Sequence, residues 1–201
     1  LQSHCNQYLH PHSVPQRPIR AFLAPLPTAA NHSPVTIGTG STSSNITVSN
    51  NFIAGVNGSN YSGFANSSSA GIMIGVVGNS GNLSAITGGV NLYNNTVNMS
   101  GTYSYAAVCL TTALYIGSAA TSLDIRNNIF VNSLNNTNGS GTTSKNYAIY
   151  SAAPNTAFTN INYNNYSVSG TQGMLGFLTS DNTTLANLTT AFGANANSLN
   201  I

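Results

Sequence analysis

The chain has no glutamate and no tryptophan, a single lysine (Lys145), and charged residues at only 3% of its 201 positions. A surface that tracks a phosphate backbone needs clustered Lys and Arg. Four basic residues in the whole chain, with a net charge of +2, argue against nucleic acid as a partner. Hydrolysis of a glycosidic bond uses a pair of carboxylates. Asp124 and Asp181 are the only acids present. No apolar run approaches the roughly 18 residues of a membrane-spanning helix, so insertion into a bilayer is not expected. Cysteine is scarce too. Cys109 lies in an apolar run over residues 106–110 and reads as a small buried hydrophobe. Cys5 lies far upstream, so cysteine usage leaves the redox compartment open.

What remains is rich in Asn, Ser, Thr and Gly, with 41% hydrophobic residues, a composition suited to a neutral β-structure. Within it one pattern recurs. Two apolar residues alternate, an Asn follows with a second Asn or a Tyr behind it, and the apolar face then resumes. The copies are Ile46, Val48, Asn50, Asn51, Ile53; Val90, Leu92, Asn94, Asn95, Val97; Leu123, Ile125, Asn127, Asn128, Phe130; and Ile161, Tyr163, Asn165, Tyr166, Val168. The reference asparagines, Asn50, Asn94, Asn127 and Asn165, are 44, 33 and 38 residues apart, the signature of an array with loops of varying length.

Period-two alternation predicts a strand on each side of a corner, with the apolar set facing inward. Asn suits the corner because its short amide tolerates a left-handed backbone. Stacked corners would then pair through Asn50, Asn94, Asn127 and Asn165 as a ladder. A second family of apolar runs, at 71–77, 106–110, 146–150 and 173–178, adds a third strand to each unit. The expected fold is therefore all-β: a three-sided solenoid of parallel strands over residues 35–201, with an Asn corner ladder.

Residues 1–34 form a different regime, with all four histidines and six of the seven prolines. Proline at that density disfavours helix and central strand, which predicts a loosely packed extension without a recognisable signal peptide. His4, Cys5, His10 and His12 have metal-ligand chemistry, but no rigid element is expected to present them; no metal or cofactor is implied. Near the other end, Leu185, Leu188 and Phe192 fall at helical spacing, with Asp181 or Thr183 as the cap and Gly193 as the stop. The strand-like Ser198-Leu-Asn-Ile201 after that helix predicts a fragment of a longer solenoid.

The Asn-corner segments, with residues 146–150 and 173–180, resemble the right-handed parallel β-helix repeats of secreted bacterial surface proteins, a fold shared with the pectate lyase and polygalacturonase superfamily. The resemblance spans roughly residues 40–201. It implies a right-handed coil in an extracellular or cell-surface protein with further coils end to end, but it carries over no catalytic residue. Asp124 and Arg126 share the outer face and are expected to pair with each other. Neutral polar loops and tyrosines suit carbohydrate or another cell-surface component. The candidate contact residues are Tyr93, Tyr115 and Tyr147, with Asn135, Asn136 and Asn138 from the loop at 135–143. Non-catalytic adhesion is the expected role. A structural stalk, or a polysaccharide lyase or hydrolase with its catalytic residues elsewhere, is the alternative. Sequons such as Asn45-Ile-Thr47 and Asn82-Leu-Ser84 follow from composition alone.

Overall fold

The computed structural model of the chain describes residues 35–57, 70–76, 84–139 and 143–201. The Pro/His-rich segment 1–34 and Asn82 lie outside these. The described residues form strands that come round in threes: β1 (Val35–Ile37), β2 (Ile46–Ser49), β3 (Phe52–Ala54); β4 (Ala70–Ile74), β5 (Thr87–Tyr93), β6 (Thr96–Tyr103); β7 (Leu110–Ile116), β8 (Ala120–Arg126), β9 (Ile129–Asn136); β10 (Lys145–Ser151), β11 (Phe158–Asn162), β12 (Asn165–Val168). A further strand, β13 (Gly173–Leu178), is followed by β14 (Ser180–Asn182) and one helix, α1 (Leu185–Phe192).

Each member of a triplet joins a different sheet. The first sheet has the order β1-β4-β7-β10-β13-β14, the second β11-β8-β5-β2, the third β12-β9-β6-β3. Every pairing is parallel except the last, where β14 turns back antiparallel on β13.

Parallel registry converts the repeating pattern into stacks of like residues. In the second sheet Val48, Leu92, Ile125 and Ile161 are direct neighbours across strands. In the third, Ile53, Val97, Phe130 and Tyr166 align, and the last two rings stack at 5.9 Å. In the first, Ile72, Leu114 and Ile149 align and the stack ends at Gly176. Most of these side chains are fully buried, so three inward faces meet in one core.

Gly176 ends its stack because the helix fills the space. A Cβ there would lie 2.4 Å from Leu188 Cδ1. Helix α1 buries Leu188 and Phe192, and Phe192 meets Phe158 edge-on at 5.2 Å.

Three expectations need correction. The helix is capped by Thr184, whose side chain accepts from the Asn187 N–H, not by Asp181 or Thr183; Gly193, at φ 64°, does end it. The first-sheet strand of the third unit is Leu110–Ile116 and not the run at 106–110, because Tyr105 is held at a corner by Asn136 and the chain straightens only after buried Cys109. In the fourth copy of the repeat, Ile161 aligns with Ile125 and Asn162 with Arg126. Tyr163 therefore occupies the corner, 55% exposed, rather than an inward position.

Candidate functional site

The corner of each repeat divides its work between two residues. Asn50, Asn94 and Asn127 hold left-handed backbone (φ 58°, 55° and 58°) and face solvent, and Tyr163 takes the same conformation at φ 57°. The residue after each, Asn51, Asn95, Asn128 and Asn164, is buried. These four form the ladder. Asn51 donates its backbone N–H and Nδ2 to Asn95 Oδ1 at 3.1 and 2.9 Å, Asn95 does the same to Asn128 Oδ1, and Asn128 to Asn164 Oδ1. Ser198 Oγ then receives the Asn164 N–H at 3.0 Å, in the place a fifth Asn would take. The ladder thus runs one residue beyond Asn50, Asn94 and Asn127 and one before Asn165, which opens β12 beside Ile129. Its spacings are 44, 33 and 36 residues.

Five of the six candidate contact residues are spread over the three sheets, and Asn138 lies just beyond β9. Tyr93, on β5, donates its hydroxyl to Asp124 Oδ2 at 2.6 Å, and the Arg126 guanidinium grips the same carboxylate with two bonds of 2.7 Å while lying 5.0 Å from the Tyr93 ring centre. Burial, then the Asp124 hydrogen bond, raises the Tyr93 pKa. The expected Asp124–Arg126 pair is present, and Tyr93 completes it. Asn135 is exposed at the end of β9, and Asn138 is half-buried just beyond. Asn136 is not available to a ligand. It is 4% exposed, accepts the Tyr105 N–H, and donates to the Tyr105 carbonyl and to Ser144 Oγ.

Tyr115 and Tyr147 do converge, on the outer face of the first sheet. Registry aligns Met73, Tyr115, Tyr150 and Phe177 across four strands. Tyr115 and Tyr150 stack at 5.8 Å, Tyr150 and Phe177 at 4.3 Å with their planes 4° apart, and Tyr147 meets Tyr150 edge-on at 5.2 Å. Tyr115 and Tyr147 are themselves almost wholly buried, so neither presents an open ring face; Tyr150 and Phe177 are partly exposed.

Beside the aromatic row lies an open recess of about 450 Å³. Leu110, Tyr147, Tyr150 and Phe177 form its apolar side, and Lys145, Ser180 and Asp181 its polar side. Strand β14 sets Asp181 opposite Phe177. There the carboxylate accepts from Tyr147 Oη at 2.9 Å and pairs with Lys145 Nζ. Burial, reinforced by the hydrogen bond and the negative charge of Asp181, raises the Tyr147 pKa far above its usual value; burial pushes Tyr115 up to about 12. A phenol held protonated in this way is a hydrogen-bond donor, not a base.

Asp124 and Asp181 stand on different sheets, each already engaged by a cation and a tyrosine. Among the described residues no three His, Cys, Asp or Glu side chains are grouped to hold a metal. No helix there is long and apolar enough to cross a membrane.

Sequence reasoning missed Phe177 as a site residue and read Asp181 only as a helix cap. Both depend on β13 lying beside β10 and on β14 folding back, pairings that neither segment signals by itself. No family model, curated protein or solved structure matches the chain.

Proposed function

We propose that residues 35–201 are a segment of right-handed parallel β-helix, a three-sided solenoid displayed outside the cell or on its surface, and that the segment contacts carbohydrate without transforming it. The rotation of the chain through three parallel sheets and the buried Asn ladder support the β-helix reading. The observation that carries the functional reading is the recess beside Tyr150 and Phe177. It joins partly exposed aromatic surface to a carboxylate, an ammonium and a hydroxyl around one open recess. Apolar ring surface suits the C–H faces of a sugar, and Lys145, Ser180 and Asp181 suit its hydroxyls. The engagement of both carboxylates in ion pairs supports a non-catalytic role.

A second reading, a stiff structural element, is favoured by the ladder, which ties each layer to the next through side chains as well as sheet hydrogen bonds. The test is a pull-down of the full chain against immobilised and insoluble polysaccharides, recording bound fraction and released sugar. Retention without release supports the proposal. Failure to bind any of them leaves the structural element, and release of sugar rules out the non-catalytic reading.

A further inference from the structure

We infer that the recess selects uncharged saccharides over those bearing carboxylate or sulfate groups, an inference that rests on the carbohydrate reading above. Four charged side chains occur among the described residues: Asp124, Arg126, Lys145 and Asp181. They form two internal pairs. Arg126 meets Asp124 in a two-bond fork of 2.7 Å each, and Lys145 meets Asp181. The first pair sits on the second sheet and the other borders the recess.

An anionic sugar that approaches Lys145 also approaches Asp181. Charges of opposite sign in contact act on a third charge as a dipole, so most of the attraction to the ammonium is cancelled by repulsion from the carboxylate. Asp181 is not free to swing aside, because Tyr147 Oη donates to its other oxygen at 2.9 Å, and Tyr147 is wedged edge-on against Tyr150. An acidic ligand therefore gains little from Lys145 and must be placed beside a fixed negative charge.

The pair still leaves hydrogen-bonding capacity for a neutral ligand. An ammonium has three donors and a carboxylate about four acceptor positions. Salt-bridge formation and the tyrosine bond use one donor and two acceptor positions, and the rest can meet sugar hydroxyls. Lys145 and Asp181 are 39% and 29% exposed, enough to be reached. Net charge near zero with many donors and acceptors, beside the Tyr150–Phe177 stack, is the chemistry of an uncharged glycan site.

The test compares binding of the full chain to an immobilised neutral β-glucan and to polygalacturonate, at about 50 mM and about 500 mM NaCl, where Debye screening differs severalfold. The expected result is glucan binding that is the same at both salt concentrations, with polygalacturonate bound at least about tenfold more weakly. Asp181→Asn removes the fixed negative charge and unpairs Lys145, so this variant should gain about tenfold in polygalacturonate binding at low salt and lose that gain at high salt. A melting curve of the variant checks that it is folded. Polygalacturonate bound more tightly than glucan by the unaltered chain overturns the selectivity while leaving the carbohydrate reading in place. A folded Asp181→Asn that gains no binding to polygalacturonate overturns the role assigned to the pair. Binding to neither polymer overturns the carbohydrate reading and this inference with it.

Discussion

Asn164 Oδ1 receives two bonds from Asn128, one from its backbone N–H and one from Nδ2, each at 3.0 Å and across 36 residues of chain. Asn128 in turn accepts two bonds from Asn95, and its Nδ2 also reaches the Leu92 carbonyl at 2.8 Å. Removing that amide takes the acceptor from the buried Asn95 N–H and a donor from the Leu92 carbonyl, while Asn164 Oδ1 keeps only the backbone N–H of residue 128. Each such group costs about 1–3 kcal/mol, so Asn128→Ala is expected to lose about 3–5 kcal/mol in urea unfolding. Asn127→Gly, at the exposed left-handed corner beside it, should change stability by less than about 1 kcal/mol.

Tyr163 stands where the other corners have Asn. A left-handed backbone costs an ordinary L-residue about 1–2 kcal/mol, and the Tyr163 side chain is 55% exposed. Tyr163→Asn is therefore expected to stabilise the fold, by up to about 1 kcal/mol. The urea midpoint should rise with the slope unchanged.

Gly176 leaves room for the helix. Adding a methyl group there would place it against Leu188 Cδ1 and 3.0 Å from Ile149 Cγ2. Overpacking of this kind costs about 1–3 kcal/mol. Gly176→Ala should lose that amount, and Gly176→Ala combined with Leu188→Ala should lose less than the sum of the two single changes, as a double-mutant cycle will show.

Alkaline pH should weaken the protein through its tyrosines. Burial raises the pKa of Tyr115 to about 12 and raises those of Tyr147 and Tyr166 as well, whereas the unfolded chain ionises near 10. Above about pH 10 the unfolded state therefore binds fewer protons than the native one, and stability falls as pH rises. Their contribution is fully present below pH 10. From there to about pH 12 the loss approaches 1.4 kcal/mol per pH unit for each tyrosine that stays protonated. Urea midpoints between about pH 9 and about pH 11.5 check the sign and the slope, and the 295 nm phenolate absorbance should rise with unfolding.

The strand–corner–strand plan was legible because Ile125, Asn127 and Phe130 and their counterparts obey period two on both sides of a residue that tolerates a left-handed turn. The ladder was displaced by one position for a physical reason. In three of the four copies corner and ladder residue are both Asn, so only Tyr163-Asn164 separates the two jobs, and alignment on Asn165 concealed it. A large aromatic at a left-handed corner runs against local preference, and the sheet registry overrides it. The recess was not legible at all. Tyr150, Phe177 and Asp181 come together only through pairing between strands distant in sequence and through the antiparallel return of β14.

The measurement that tests the central claim most directly is a binding isotherm of the full chain on an insoluble neutral polysaccharide, set beside that of Phe177→Ala with melting temperatures recorded for both. Loss of a base-stacking aromatic costs about 1–3 kcal/mol in comparable ring contacts, so the expected result is saturable binding without sugar release, weakened about tenfold or more in a variant that remains folded. Binding that is untouched by Phe177→Ala, or sugar released into solution, would contradict the account.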